Sequence, residues 1–299
     1  MAKPLTLTRT IRVRFCECDL YGHLNQSTYL RYMAETAFDA SAAAGYNMAR
    51  YAAMDRYWLV HDTEVDYLSP LRYGDAVEVT TWVMDFRHVR SRRAYELRRA
   101  GSDEMVARGH TDWVFMNTAT GRPAAIPADM MAAFFPEGPP PPAPPRKPFP
   151  AGPPPPPGVF RQRRRVEWRD LDPAQHVNNA VYLSYLEDCG VHVAEAHGWP
   201  LERMMAERLA IVARRHRIEY LLPAVLGDEL EVSTWASDVR RSTAVRHFQM
   251  VRVSDGALLA RVHTLAAWVN VDTGRPTRIP SAFLEDFRPN IAAGTPDSG

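Results

Sequence analysis

The chain lacks the features that mark several common classes of protein. Its 299 residues include only three cysteines, and no two of them stand in a Cys-x-x-Cys spacing. A disulfide framework is therefore not expected, and a reducing cytoplasm is the predicted setting. No uncharged apolar run approaches the roughly 18 residues that a membrane span requires. The first residues also lack the apolar stretch of a secretion signal, so we expect neither kind of segment.

The chain also lacks an excess of either charge. Lys and Arg together number 36, Asp and Glu number 35, and the formal net charge is +1. A near-neutral balance gives no attraction toward polyanions, so we expect no nucleic acid and no membrane surface as partner. The proportions of hydrophobic residues (46%) and charged residues (24%) are typical of soluble globular proteins.

Proline is abundant, but in one segment. Fourteen of the 25 prolines fall within residues 136–158. Proline fixes φ and has no amide donor, so this segment is predicted to form neither helix nor sheet. As a polyproline II helix at about 3.1 Å per residue it could span about 70 Å. We interpret it as a linker between domains at 5–135 and 159–288, with a tail at 289–299. A docking segment for SH3 or WW domains is the alternative.

The two halves repeat each other at a constant offset of 153 residues. The register holds without insertion over more than a hundred residues, which indicates an internal duplication. Pairs that keep the offset include Asp19 with Asp172, His23 with His176, Asn25 with Asn178, Tyr32 with Tyr185, Trp82 with Trp235, and Gly121 with Gly274.

Each half predicts the same order of elements. An alternating stretch at 10–15, and its counterpart at 165–168, indicates a half-buried strand. A polar loop follows, and helical spacing of apolar residues then predicts a helix over about 28–44 and 180–197. Four β-rich runs complete the first half at about 57–69, 76–86, 91–100 and 105–117, with counterparts 153 residues later. One long helix with a mostly antiparallel sheet is an α+β unit.

The loop ahead of each helix contains the candidate chemistry. Asp or Asn before a helix is often only an N-cap, but a cap needs one side chain and here three recur together. The unpaired amides of a helix N-terminus can stabilise an oxyanion, while a carboxylate attacks a carbonyl or activates water and a His orients that water. This set suits acyl transfer to water without a cofactor, and it offers too few ligands for a metal. The candidate site residues are Asp19, His23, Asn25, Asp172, His176 and Asn178.

The order of strand, Asp-x-x-x-His-[Val/Leu]-Asn-x-x-x-Tyr-Leu loop, alanine-rich helix and four strands resembles the hotdog-fold thioesterases of the 4-hydroxybenzoyl-CoA and acyl-CoA type. The stretch DLDPAQHVNNAVYLSYLED in the second half also resembles acyl-ACP thioesterases, which are double hotdogs. The resemblance implies two fused hotdog domains, each a long helix wrapped by an antiparallel sheet, paired into one continuous sheet. It further implies that Asp19 and Asp172 are catalytic carboxylates, and that His23 and His176 match the histidine of the acyl-ACP branch.

Two departures from the plant acyl-ACP pattern affect the expected substrate. Tyr21 and Ala174 stand where that branch has an Asn, and Pro70 and Pro223 stand where it has a Glu. We therefore expect Asp-centred hydrolysis of acyl-CoA. Hydrolysis of acyl-ACP, acyl-CoA binding without turnover, and a hotdog dehydratase are the alternatives. Assembly of double hotdogs into a homo-oligomer also remains open.

Some repeated residues lie outside the loop. Arginines that recur on the strands are predicted to line the solvated face of the sheet, and the alternative is that some bind the phosphates of coenzyme A. Cys189, within an apolar helical stretch, is predicted to be a buried and inert thiol. The recurring arginines are Arg87, Arg93 and Arg99 in the first half and Arg240, Arg246 and Arg252 in the second.

Overall fold

The computed structural model describes residues 3–138 and 145–292. The chain divides into two compact units between Pro148 and Phe149, inside the predicted linker. Among the described residues, no helix is long and apolar enough to cross a bilayer.

The first unit is a long helix packed in an antiparallel sheet of five strands. The strand order is β1-β3-β4-β5-β2. Its elements are β1 (Thr6–Arg12), α1 (Gln26–Ala43), α2 (Met48–Ala53), β2 (Arg56–Tyr67), β3 (Ala76–Arg87), β4 (Arg90–Arg99), β5 (Met105–Asn117) and α3 (Ala128–Phe134).

The second unit repeats this topology, with strand order β7-β10-β9-β8-β6. The predicted α+β class, both long helices and the four runs after each helix are confirmed, while the short helices were not predicted. The elements of the second unit are β6 (Phe160–Arg165), α4 (Asn179–Ala196), α5 (Leu201–Ala206), β7 (Leu209–Tyr220), β8 (Glu229–Ser237), β9 (Thr243–Arg252), β10 (Leu258–Asn270) and α6 (Ser281–Phe287).

The opening strand of each half lies earlier than the alternation predicted. The predicted stretch 165–168 begins at the last residue of β6 and runs into a short 3-10 turn, Trp168–Asp170. The predicted stretch 10–15 covers the end of β1 and reaches the corresponding turn, Phe15–Glu17. The acidic third residue of each turn accepts the backbone amide of the residue before the turn, which closes the turn and ends the strand. Phe15 and Trp168 are therefore 78% and 80% exposed rather than inward-facing.

Helix α1 packs against the sheet through a face of apolar and small side chains. Leu30, Met33, Ala37 and Ala40 are each at most 5% exposed, at the spacing of one helical face. Small residues occupy positions 40–44 at the end of the helix, but Ala42 and Ala43 are exposed. Only part of this run therefore lets the sheet approach the helix closely. The sheet covers one face of α1, and the other face is solvated.

The described part of the linker, residues 145–158, forms neither helix nor strand, as predicted. It is nevertheless packed. In the first unit, the Arg146 guanidinium lies 2.8 Å from Asp85 and 3.0 Å from Asp112. In the second unit, the Pro153 carbonyl accepts a 3.2 Å hydrogen bond from Nε1 of Trp235. Each end of the segment is thus part of one unit.

The predicted tail also begins as part of the second unit. The Asn290 side chain is fully buried, and its Nδ2 donates to the carbonyls of Gly158 (3.1 Å) and Thr234 (2.9 Å). The Ala292 amide donates to the Ala236 carbonyl at 2.8 Å. The second unit therefore extends beyond the predicted end at residue 288, at least to Ala292. The last seven residues of the predicted tail lie outside the described ranges, as do residues 139–144 of the linker.

Two histidines pack beneath the linker on the second sheet. Nδ1 of His247 lies 3.0 Å from Nε2 of His263, and Nε2 of His247 lies 2.7 Å from Oγ of Ser237. The Phe149 ring meets the His263 ring edge-on, with centroids 4.9 Å apart. Burial, and after it neighbouring charges (Arg261 above all for His263), lower the pKa of each histidine to about 4. Both rings are therefore neutral at pH 7.

This pair makes stability depend on pH. An unfolded histidine titrates near 6.5, so between about pH 6.5 and 4 the unfolded chain binds more protons than the native chain. The free energy of unfolding should therefore fall as the pH is lowered through this window. In urea unfolding followed by circular dichroism, His263→Asn should make the fall smaller by about 1 kcal/mol, less than the full shift because the ring is partly exposed.

The exposed His88 supplies the matched control. His88→Asn should retain the wild-type dependence on pH, because no neighbour buries that ring. If the free energy of unfolding decreases by the same amount between pH 6.5 and 4 in both variants and in the wild type, the histidine pair is not the source of the acid sensitivity.

Candidate functional site

In the first unit, the Asp19 carboxylate closes the loop ahead of α1. Its Oδ1 accepts the amides of Tyr21 (2.9 Å) and His23 (3.0 Å), and its own amide donates to the His23 carbonyl at 2.7 Å. Gly22 completes the turn at φ +73°, a conformation that glycine adopts without strain. The turn places the exposed Asp19 next to the half-buried His23.

The second loop repeats this turn with fewer constraints on its carboxylate. Asp172 Oδ1 accepts the Ala174 amide at 2.9 Å, and the Asp172 amide donates to the His176 carbonyl at 3.0 Å. Nδ1 of His176 lies 3.8 Å from Asp172 Oδ1, and both side chains are about one-fifth exposed. Gln175 occupies the left-handed position at φ +64°, where the first loop has glycine. The structure thus brings Asp and His together in both units, and buries the pair more deeply in the second.

Asn25 and Asn178 are the N-caps of the two long helices. Asn25 Oδ1 accepts from the Ser27 amide at 3.2 Å and from its hydroxyl at 3.0 Å. Asn178 Oδ1 accepts from the Ala180 amide at 3.0 Å. Each cap satisfies one of the free amides of the first helical turn. The asparagines therefore hold the loop against the helix.

Two acidic residues that the sequence reasoning missed fix each loop to its helix. Glu17 Oε2 accepts the Arg14 amide at 2.8 Å and the Tyr32 hydroxyl at 2.6 Å. In the second unit, Asp170 Oδ2 accepts the Glu167 amide and the Tyr185 hydroxyl, both at 2.8 Å. Their signal was present, because both positions are acidic at the offset of 153 residues that also pairs the tyrosines.

The two histidines have different neighbours. Burial and the nearby Arg72 guanidinium lower the pKa of His23, and Asp19 opposes them. The counterpart of Arg72 in the second unit is Val225, which carries no charge. His176 Nε2 is buried and has no hydrogen-bond partner in the described parts of the chain. That nitrogen is thus enclosed without a polar partner among the described residues, and position 225 places no cation near Asp172.

Of the six repeated arginines, Arg87 and Arg240 are exposed as predicted, and the other four are not. Arg93 is 6% exposed and lines a pocket against α1, and Arg246 is half-buried. The Arg99 guanidinium contacts Asp75, Glu104 and the Pro70 carbonyl. Arg252 makes the equivalent contacts with Asp228, Asp255 and the Pro223 carbonyl. The contacts of Arg99 and Arg252 within the fold weigh against a role for these two side chains in holding coenzyme A.

Cys189 is fully buried, and burial raises the pKa of its thiol to about 12, so the predicted inert thiol is confirmed. Within residues 3–138 and 145–292, no group of three or more His, Cys, Asp or Glu side chains is arranged to hold a metal ion.

A long helix wrapped by an antiparallel sheet, with an Asp-His-Asn loop at its N-terminus, therefore occurs twice in this chain. A family model for the thioesterase-like superfamily matches residues 13–134 and again residues 166–287. The chain belongs to the thioesterase-like superfamily. Membership supports a thioester hydrolase as the class of enzyme, and it confirms the resemblance on which the expected fold was based.

Individual relatives fall into one-unit and two-unit proteins. The acyl-CoA thioester hydrolase YbgC of Escherichia coli O6:H1 is 28% identical over 130 residues, which are 44% of this chain and 96% of YbgC. The chloroplastic palmitoyl-acyl carrier protein thioesterase of Arabidopsis thaliana is 26% identical over 274 residues, which are 87% of this chain and 63% of that protein. The chain thus spans somewhat less than two thirds of the plant enzyme.

Among solved structures, the putative oleoyl thioesterase from Lactobacillus plantarum superposes with a TM-score of 0.73 at 19% identity, covering 89% of this chain and 97% of that one. The 12:0-ACP thioesterase from Umbellularia californica gives a TM-score of 0.67 at 21% identity, covering 91% and 95%. At these identities the similarity establishes the fold.

The cap predicts a measurable cost. Asn178→Ala should lower the free energy of unfolding by about 1 kcal/mol, because the Ala180 amide loses its acceptor, whereas Asn178→Asp should retain most of the stability. Urea unfolding followed by circular dichroism measures both. The neighbouring Asn179→Ala serves as the control, since that side chain makes no hydrogen bond to another described residue. Equal losses in Asn178→Ala and Asn179→Ala would show that the cap contributes nothing.

Proposed function

We propose that the chain hydrolyses acyl-CoA thioesters, with Asp172 as the principal catalytic carboxylate and Asp19 as its counterpart in the first unit. The observation that supports this most directly is the Asp172–His176 pair, which lies half-buried in the loop at the N-terminus of α4. A carboxylate, a histidine and free helical amides are the groups that acyl transfer to water requires.

The two oxygens of the Asp172 carboxylate differ in the hydrogen bonds that they accept. Oδ1 accepts the Ala174 amide and faces His176, so it is held in position. Oδ2 accepts no hydrogen bond from the described residues. One oxygen therefore orients the carboxylate, and the other is available for reaction.

Two routes use the available oxygen. As a general base, Asp172 takes a proton from a water that attacks the thioester carbonyl carbon; the tetrahedral oxyanion then collapses, the C–S bond breaks, and the thiolate leaves and is protonated. As a nucleophile, Asp172 attacks the carbonyl and expels the thiolate, and water then hydrolyses the acyl anhydride. His176, whose Nδ1 faces the Asp172 carboxylate, orients that carboxylate in either route.

The helix supplies the oxyanion donor in this proposal. The first amide of α4, that of Asn179, donates to no other described residue, whereas the next amide is taken by the Asn178 cap. A free amide at a helix N-terminus stabilises negative charge that develops nearby.

The second unit is favoured over the first for the main activity. Asp19 is exposed and its Oδ1 is taken by two amides, while Arg72 lies beside His23. Asp172 is less exposed, and the second unit has the uncharged Val225 at the position that corresponds to Arg72. We therefore assign most of the turnover to Asp172.

A carrier-protein thioester is the second candidate substrate. It is favoured by the match to the plant palmitoyl-acyl carrier protein thioesterase, which runs across both units. The prolines at positions 70 and 223 weigh against it, because each offers only a carbonyl, to Arg99 and Arg252, where the plant pattern has a carboxylate. We place acyl-CoA first for that reason.

The test is release of free thiol from a panel of acyl-CoA and acyl-ACP substrates. Asp172→Asn should lower kcat/KM by about 10²- to 10⁴-fold, because the amide neither accepts a proton nor attacks the carbonyl. Asp19→Asn should lower it by less than about tenfold. Asp103→Asn, in the exposed β4–β5 hairpin, is the matched control and should be silent.

Three results would contradict the proposal: no turnover of any thioester by the wild type, full activity in the double variant Asp19→Asn with Asp172→Asn, or a larger loss from Asp19→Asn than from Asp172→Asn. Faster turnover of acyl-ACP than of any acyl-CoA would make acyl-ACP the preferred substrate and would leave the proposed mechanism unchanged.

A further inference from the structure

The first unit contains a narrow pocket between the second half of α1 and the sheet. Its enclosed part is small, about 30 Å³, and the space reaches about 400 Å³ only when the part open to solvent at the mouth is counted. The α1 residues that line it follow the helix N-cap by 12 to 16 positions, so at about 1.5 Å per residue they lie roughly 18–24 Å along the helix from the Asp19 loop. Aromatic side chains form its walls, among them Phe38, Trp58, Trp113 and Phe134.

A buried cation lines this apolar pocket. Arg93 is 6% exposed, and its one hydrogen bond to another described residue is a long one, 3.4 Å from Nη1 to Oγ1 of Thr81. Its guanidinium carbon lies 5.5 Å from the centre of the Phe134 ring. The polar groups that influence its charge are the hydroxyls of Tyr95 and Tyr51, and no carboxylate is among them. A guanidinium has five N–H donors, so most of the donors of Arg93 are unused.

The neighbouring arginine shows what a partnered cation looks like in the same strand. Arg92 points to the opposite face of β4 and forms two 2.7 Å hydrogen bonds with the Asp112 carboxylate. Burying a charge without a partner costs several kcal/mol. Arg93, on the pocket side of β4, is thus a buried cation, and its contacts with the protein offset only a small part of the cost of desolvating it.

The second unit supplies the acceptor that the first unit lacks. Arg246, the counterpart of Arg93, donates to Thr234 Oγ1 at 3.4 Å and to the amide oxygen of Asn290 at 3.3 Å. The counterpart of Asn290 is Glu137, which is exposed and accepts the Lys3 amide at 3.1 Å instead. The position beside Arg93 thus has no equivalent acceptor in the described chain.

The surroundings of the two arginines also differ in polarity. Around Arg93, the pocket is lined by Ser41, Tyr51, Trp58 and Ser91. The corresponding residues of the second unit carry no hydroxyl or indole N–H. They are Ala194, Met204, Ile211 and Ala244. Because Ser91 and Arg93 are two residues apart on β4, their side chains project from the same face of the strand.

We propose that this pocket of the first unit binds a carboxylate carried on a slim apolar body, with the Arg93 guanidinium pairing with the carboxylate. The Ser91 hydroxyl lines the same face, and the aromatic walls cover the apolar part. A carboxylate fits because a guanidinium binds it through two parallel hydrogen bonds. The binding proposal rests on the first unit alone and does not depend on the proposed thioester hydrolysis.

Binding of benzoate and hexanoate to the full chain tests the proposal, with benzamide and hexanamide as neutral controls. Isothermal titration gives affinity, and quenching of tryptophan fluorescence reports occupancy because Trp58 and Trp113 line the pocket. Each carboxylate should bind at least about tenfold more tightly than its amide, since only the carboxylate forms charge-assisted hydrogen bonds.

Variants locate the site. Arg93→Gln should remove the preference for carboxylate over amide, whereas the matched variant Arg246→Gln in the second unit should leave it unchanged. Ser91→Ala introduces the residue found at position 244 and should fold, and it should weaken carboxylate binding by about threefold to tenfold. Equal affinity for carboxylate and amide, no binding of either, or loss of the preference in Arg246→Gln alone would each overturn the proposal.

A second arm asks whether the carboxylate comes as a free acid or at the far end of an acyl group. Dicarboxylyl-CoA thioesters are compared with unsubstituted acyl-CoA of equal length, first for binding to the Asp19→Asn, Asp172→Asn double variant and then for turnover by the wild type. An Arg93-dependent preference for the dicarboxylyl chain indicates the acyl source. Arg93-dependent binding of the free acids alone indicates a separate ligand. The binding measurement needs no catalysis, so failure of the proposed hydrolysis leaves this test intact.

Discussion

The loop of each unit depends on one hydrogen-bonded pair, an acidic side chain with a tyrosine on the long helix. Glu17 with Tyr32, and Asp170 with Tyr185, connect the capped 3-10 turn that ends the first strand to the first turns of the helix. Both tyrosines are at most 5% exposed; the Glu17 bond is partly buried, and the Asp170 bond is buried, where an unpaired carboxylate would be costly. The Asp-x-x-x-His-x-Asn loop lies between these two fixed points, and its geometry follows from them.

Duplication has allowed the two loops to diverge around this constraint. The first unit retains the turn but places an arginine beside its histidine and exposes its aspartate. The second unit retains a more buried pair without the arginine. The difference extends away from the loop, since Arg246 has an amide partner whereas Arg93 has a pocket. The two copies are best understood as one scaffold with two specialisations.

Much of the fold could be predicted from the sequence, for physical reasons. The spacing of Leu30, Met33 and Ala37 predicts the helix face, and the alternation along β2 to β5 predicts strands, because burial on one face leaves a periodic record. Asp19, His23 and Asn25 were found because they recur together. The end of the first strand was misplaced because the Arg14 amide donates a hydrogen bond to the Glu17 carboxylate where the strand stops, and the hydrophobic pattern does not record such a bond.

The buried arginines show the other limit of prediction. Position 93 looks like one of several charges on an exposed strand, and only the three-dimensional structure shows that it faces the helix while Arg92 faces Asp112. Alternation along β4 could have raised the possibility, since neighbouring residues point to opposite faces. Burial of an arginine is nevertheless too uncommon to be expected from sequence alone.

The packing of the linker on the second sheet also decides where that unit can be separated as a fragment. Phe149 covers His263, and the Pro153 carbonyl takes the indole N–H of Trp235. A fragment that starts at Val159 would expose the rings of His263 and Trp235 and leave the indole N–H of Trp235 without its acceptor. The result would be an exposed apolar patch that favours aggregation. A fragment that starts at Phe149 retains the linker residues that pack on His263 and Trp235. This part of the proline-rich linker therefore belongs to the folded core of the second unit.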